Sequence, residues 1–245
     1  MRLITPLLIL FALVVSGGTA HGQMDDFAWG DFSRAGNSNN GKLTGTRFLM
    51  EMVTTPFHFY HPSWMEGTVT TTEGETYDGL RLRYDALHDE LVAFNDRVNG
   101  LYVVDKYRVA SFTVTGNDGM TSQFRKFSPE GSQEKDKYYE VLYEGSVTLL
   151  CSHRIVERQT SLYRNKYGRL DNRSFEPGML FFLVGGDSRL LPVFPSRRSL
   201  ISLFPEQKRE VRRFFRKQTS FDYSEMMIPI WISKLDKEGF FNGGR

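Results

Sequence analysis

From Trp64 onward apolar and polar residues alternate in short blocks separated by turn residues, a period of two that predicts consecutive antiparallel strands. Trp64 to Thr72 is the first block, turned by Glu73-Gly74-Glu75. In Leu80-Arg81-Leu82-Arg83-Tyr84-Asp85 the apolar side chains face one way and the charged ones the other, as a half-buried strand requires. Leu91 to Phe94, Leu101 to Val104 and Val109 to Thr115 continue the series. Gly116-Asn117-Asp118-Gly119 predicts a hairpin, because Asn, Asp and Gly accept the positive φ of a tight turn, and Met120 to Phe127 returns from it.

Tyr138 to Tyr143 and Ser146 to Ile155 form another pair around Glu144-Gly145. Arg158 to Pro177 is charged and has neither period, which predicts an exposed loop. The unbroken apolar run Gly178 to Val184 has strand length and predicts a buried strand, with Leu190 to Val193 as its partner. After Pro195 the period becomes helical. Ser199 to Phe204 and Glu206 to Gln218 predict two helices. Asp222-Tyr223-Ser224-Glu225 resembles a capping box for a last one, which Pro229 should kink or end. The expected fold is α+β and mainly β: an antiparallel meander, either a half-open barrel or a sandwich, with C-terminal helices from about residue 197 covering an edge or face.

Ahead of the strands, Arg2 opens a segment with an apolar stretch from Leu3 to Val15 and a small-residue run to Gly22, the order of a cleavable signal peptide over residues 1–22. The expected cut leaves Gln23 first, with His21 as the other option. The apolar stretch is shorter than the roughly 20 residues of a membrane-spanning helix, so no transmembrane segment is expected in the mature chain. Residues 23–47, centred on Gly36-Asn37-Ser38-Asn39-Asn40-Gly41, lack either period and predict a flexible leader before a single domain over 48–245. Export is thus expected, to the periplasm, the outer membrane or beyond.

Composition narrows the chemistry. Cys151 is the single cysteine, so no intramolecular disulfide is available and the core must supply the stability. A net charge of +2 gives no reason to expect nucleic acid. The charge is uneven, with residues 131–245 carrying 20 basic against 14 acidic side chains. Gly36 to Lys42 approaches a phosphate-binding loop, but Leu43 stands where a hydroxyl must reach magnesium and no buried strand feeds it. His58 and His61 are three apart, a spacing that puts them on opposite sides of an extended chain. Cys151 and His153 share a strand face but lack a visible oxyanion hole or orienting group, and Asp85, Asp89 and Glu90 read as turn residues. No catalytic residue, metal ligand or cofactor is expected from these motifs.

Thr55-Pro56-Phe57 leading to Trp64-Met65-Glu66-Gly67-Thr68-Val69, then Gly74-Glu75-Thr76-Tyr77-Asp78-Gly79-Leu80-Arg81-Leu82-Arg83-Tyr84-Asp85, is similar to the front half of a large group of exported, signal-peptide-bearing proteins of Gram-negative bacteria. Tyr138-Tyr139-Glu140-Val141-Leu142-Tyr143-Glu144-Gly145 and Leu203-Phe204-Pro205-Glu206 resemble its later landmarks. The resemblance implies export and a fold. It brings no activity, cofactor or functional residue with it.

The expected function is therefore a non-enzymatic exported module that binds something at the cell envelope, with a hydrolase assembled from distant residues as the alternative. An outer-membrane barrel fits poorly with a helical last segment, since a barrel closes strand to strand. The candidate binding residues are Arg209, Arg212, Arg213 and Arg216, which line one side of the second helix at i, i+3, i+4 and i+7 while Val211, Phe214 and Phe215 line the other. An anionic surface or an acidic partner is the matching ligand.

Overall fold

The computed structural model describes residues 28–29, 43–49, 57–96, 99–128, 136–165, 168, 170–186, 189–218 and 224–242. The expected signal peptide, most of the leader and Gly36 to Lys42 lie outside the described residues. The strands are β1 (Ala28–Trp29), β2 (Leu43–Arg47), β3 (Met65–Thr71), β4 (Thr76–Asp85), β5 (Glu90–Asn95), β6 (Gly100–Val104), β7 (Val109–Thr115), β8 (Thr121–Phe127), β9 (Lys137–Glu144), β10 (Thr148–Arg164), β11 (Leu170–Val184) and β12 (Leu190–Val193). They form one antiparallel sheet in the order 1-2-6-5-4-3-7-8-9-10-11-12. Three helices follow: α1 (Arg197–Ser202), α2 (Lys208–Lys217) and α3 (Ile228–Lys237). The class is mainly-β α+β with C-terminal helices, and the sheet is open. Among the described residues no helix is long and apolar enough to cross a membrane.

The order departs from a simple meander at one block. Strands β3 to β6 run backward across the sheet, so β2 pairs with β6 and β3 with β7. The sheet curls as it goes. Register shifts at Gly67/Val69 and Thr70/Thr71 bend β3, where Gly67 approaches the Thr113 carbonyl too closely for any side chain. Inside the curl, Leu43 of β2, Leu82 and Tyr84 of β4, Leu91 of β5, Phe112 of β7, Phe124 of β8 and Tyr138 of β9 share one core. Phe112 and Phe124 stack at 4.7 Å, with Tyr84 at 5.1 Å from Phe124. Strand β10 straddles two cores. Its Ile155 packs against the first, whereas Leu149 and Cys151 join Phe181, Leu200, Val211, Phe215, Trp231 and Leu235 beneath the helices.

Several expectations are corrected. Leu43 to Arg47, assigned to the flexible leader, is a strand whose Leu43 is buried at 1% exposure; five residues beside a glycine-rich stretch are too few to show a period. Within Arg158 to Pro177, expected as a loop, the segments 158–164 and 170–177 continue β10 and β11 as a two-stranded ribbon, with Gln159 opposite Arg173 and Tyr163 opposite Asp171. A ribbon that buries neither face in a core is held mainly by its backbone pairing, so its side chains carry no alternation. Pro229 neither kinks nor ends the last helix but sits in the first turn of α3, where a missing N–H costs nothing. Of the expected capping box, Asp222 and Tyr223 lie outside the described residues, and Ser224 makes no side-chain cap to the 3-10 turn Glu225–Met227.

Asp236 ties α3 to the β9–β10 turn, its Oδ2 accepting hydrogen bonds from Tyr143 Oη at 2.7 Å and the Ser146 amide at 2.9 Å. Burial alone would raise this carboxyl, but the bonds from Ser146 and Tyr143 outweigh it and hold the pKa below the ordinary aspartate value. A carboxylate with a lower pKa in the folded chain adds stability that is complete above the unfolded value of about 3.9 and is lost as pH falls through the folded value. Asp236→Asn is therefore expected to lower stability at pH 7 and to flatten its decline below about pH 4. Urea unfolding across that range reads both effects, and an acid limb identical to the parent's would contradict the linkage.

Candidate functional site

The turn between β4 and β5 gathers the polar chemistry. Asp85 ends β4 with no exposed surface, and its Oδ1 accepts hydrogen bonds from the amides of Leu87 and His88, both at 3.0 Å. An Asp that bonds its own backbone two and three residues on is what starts such a turn. The other oxygen, Oδ2, lies 3.0 Å from His88 Nδ1 and 3.9 Å from His58 Nδ1. His58 arrives because its segment continues the sheet beside β4, with Tyr60 N bonded to the Tyr84 carbonyl and Ala86 N to the His58 carbonyl. The two imidazoles meet edge to face at 5.3 Å, and Phe175 from the ribbon packs on His58 at 5.1 Å. Arg83, buried nearby, lies over the Phe59 ring at 3.6 Å. It makes no ion pair with Asp85 within 4.0 Å among the described residues. Three potential ligand atoms of the His58, Asp85 and His88 side chains thus lie within 4.8 Å of one another.

Asp89 performs a different task a few residues on. At φ 58° it turns the chain into β5, and its carboxylate accepts from Tyr84 Oη at 2.7 Å, Lys106 Nζ at 2.5 Å and the Tyr138 amide at 3.2 Å. Lys106 also lies over the Tyr138 ring at 4.9 Å. Beside this clamp is an open cavity of about 770 Å³, lined by Thr44, His88, Glu90, Asp105, Lys106 and Tyr107 among others. Burial raises the Glu90 pKa above the usual range, with the carboxylate of Asp85 adding to the shift and His88 opposing it.

The residues singled out in the sequence scatter. His58 joins the cluster, whereas His61 stays outside it and accepts a hydrogen bond from the Ser63 amide through Nδ1. Asp85 and Asp89 separate into the cluster and the clamp. Cys151 is 1% exposed within the helical core. His153, on the same strand face, turns instead to Glu140, Nε2 to Oε2 at 2.6 Å, beneath the Tyr60 ring at 4.5 Å. Arg209, Arg212, Arg213 and Arg216 are all exposed on α2, while Val211 and Phe215 on its other side are buried. Among the described residues no ion pair involves any of the four.

The joining of His58 to Asp85 and His88 has no counterpart in the local sequence pattern. The three belong to motifs about 30 residues apart, and only the pairing of the His58 segment with the end of β4 brings them together. No local signal carries that pairing.

Burial, followed by the neighbouring Glu140 and Glu225 charges, pushes the Cys151 thiol well above its ordinary pKa. Thiol reagent added to the native protein at neutral pH is expected to label Cys151 only as fast as the chain unfolds, and Cys151→Ala to cost of order 1 kcal/mol through lost packing. Rapid native labelling would contradict this placement. Comparison with protein-family models, with curated proteins and with solved structures found no match, so the side-chain geometry is what a functional reading must rest on.

Proposed function

We propose that this chain is an exported, non-enzymatic module of the cell envelope, in the periplasm, on the outer membrane or beyond it, that docks on anionic surfaces through α2. The carrying observation is the arginine face. The sequence of α2, Lys-Arg-Glu-Val-Arg-Arg-Phe-Phe-Arg-Lys, holds six basic residues and one acidic one, with its apolar side committed to the core. A helix that spends its apolar stripe inside the protein binds a surface through charge alone. Arg suits this role, since its planar fork pairs with phosphate through two hydrogen bonds. The signal-peptide pattern and the resemblance to exported Gram-negative proteins support export.

A hydrolase built on Cys151 finds no support, because that thiol is packed under helices and His153 is paired with Glu140. Asp85 and Asp89 are likewise each held by several hydrogen bonds.

Each arginine near an anionic surface contributes roughly 1 kcal/mol, so replacing four lowers affinity by up to about a thousandfold. The chain from residue 23 is expected to sediment with vesicles containing phosphatidylglycerol but not with phosphatidylcholine alone, and to be released as salt rises. The quadruple variant Arg209→Gln, Arg212→Gln, Arg213→Gln, Arg216→Gln should keep its melting temperature and lose the binding. Equal sedimentation of the folded variant at low salt would refute the reading.

A further inference from the structure

We propose that His58, Asp85 and His88 bind a divalent transition-metal ion of the zinc class at the end of β4. This goes beyond surface docking and is independent of it.

The donor set comes first. Two imidazole nitrogens and one carboxylate oxygen suit zinc, cobalt or nickel, whereas calcium and magnesium ask for oxygen throughout. The spacing fits as well. Three ligands at 2.0–2.2 Å from one tetrahedral zinc ion lie roughly 3.3 Å apart. Here Asp85 Oδ2 is 3.0 Å from His88 Nδ1 and 3.9 Å from His58 Nδ1, and all three ligand atoms fall within 4.8 Å. Closure around an ion needs shifts on the order of 1 Å.

The surroundings orient the ligands. Asp85 Oδ1 is occupied by the amides of Leu87 and His88, which leaves Oδ2 as the oxygen presented to both imidazoles. Outer hydrogen bonds of this kind fix a metal-binding carboxylate before the ion arrives. Phe175 holds the His58 ring from the ribbon side. A carboxylate with no exposed surface gains most from a cation in direct contact, and Arg83, the adjacent guanidinium, lies over the Phe59 ring and makes no ion pair with Asp85 within 4.0 Å. Access is available from the other side. His88 has a side chain 52% exposed and also lines the open cavity, so an ion has a path from solvent.

A hydrogen-bonded His-Asp-His network holding no ion is the competing account, and metal titration separates the two. The untagged chain from residue 23, stripped with chelator, is titrated with Co²⁺ while its visible absorption is followed, and with Zn²⁺ while its melting temperature is followed. The expected result is one ion per chain, a visible band of a low-symmetry cobalt site, and a melting temperature raised by Zn²⁺ but not by Mg²⁺. His88→Ala, on an exposed turn, and Asp85→Asn should each weaken Zn²⁺ binding by about 100-fold or more, since even residues that only orient ligands are worth 10–100-fold. His61→Ala should bind as the parent does. Metal-free melting curves show which variants are folded, and if Asp85→Asn does not fold, His88→Ala decides alone. Absence of saturable binding by the folded parent, or binding unchanged in folded His88→Ala, overturns the proposal.

Discussion

The curl of the sheet depends on one carboxylate. Asp89, in the turn between β4 and β5, bonds Tyr84 on its own hairpin, Lys106 beyond β6 and the backbone amide of Tyr138 at the start of β9. In the sheet order β9 lies four strands from β4 and six from β6, so these contacts cross the hollow of the curl rather than follow the ladder. An open antiparallel sheet can flatten or twist many ways, and hydrophobic burial alone does not choose among them. A charge-assisted hydrogen bond to a strand on the far side does choose. The aromatic core of Tyr84, Phe112, Phe124 and Tyr138 then fills the space so enclosed.

The same turn explains where the polar chemistry lies. Because Asp85 starts the turn and Asp89 anchors it, the loop that carries His88 is fixed at both ends, and the buried Asp85 carboxylate holds the His88 ring. The clamp leaves the cavity beside it open, and the pairing of residues 58–60 with the end of β4 supplies the second imidazole. The helices serve a separate part of the molecule. They cover the β10, β11 and β12 end of the sheet with their apolar sides and turn the arginines of α2 outward.

What the sequence disclosed follows from the reach of periodicity. Alternation in Leu80 to Leu82, the turn Gly116 to Gly119 with Gly119 at φ 77°, and the apolar stripe of Val211 and Phe215 are local patterns found where they were expected, whereas Arg83 and Asp85, expected on the open face of β4, are buried because residues 58–60 cover the end of that strand. The ribbon of β10 and β11 was hidden because strands that bury neither face in a core need no alternation. The reversed block β3 to β6 was hidden because pairing order is a property of distant segments. The His58, Asp85 and His88 cluster was hidden for the same reason, although each residue was in view. Asp85 is a turn residue, as its local pattern indicates, but nothing local encodes its second oxygen turned toward an imidazole from another segment.

The Asp89 clamp is measured most directly by chemical denaturation of Asp89→Ala. Removing one member of a partly buried charge pair that also serves a tyrosine and a backbone amide is expected to cost about 2–4 kcal/mol. The exposed pair of Arg81 and Asp96, 3.0 Å apart, gives the reference, since Asp96→Ala should cost less than about 1 kcal/mol. Loss of the larger amount in Asp89→Ala alone is the predicted result. Equal, sub-kilocalorie losses in the two variants would mean that the sheet holds its curl without this carboxylate.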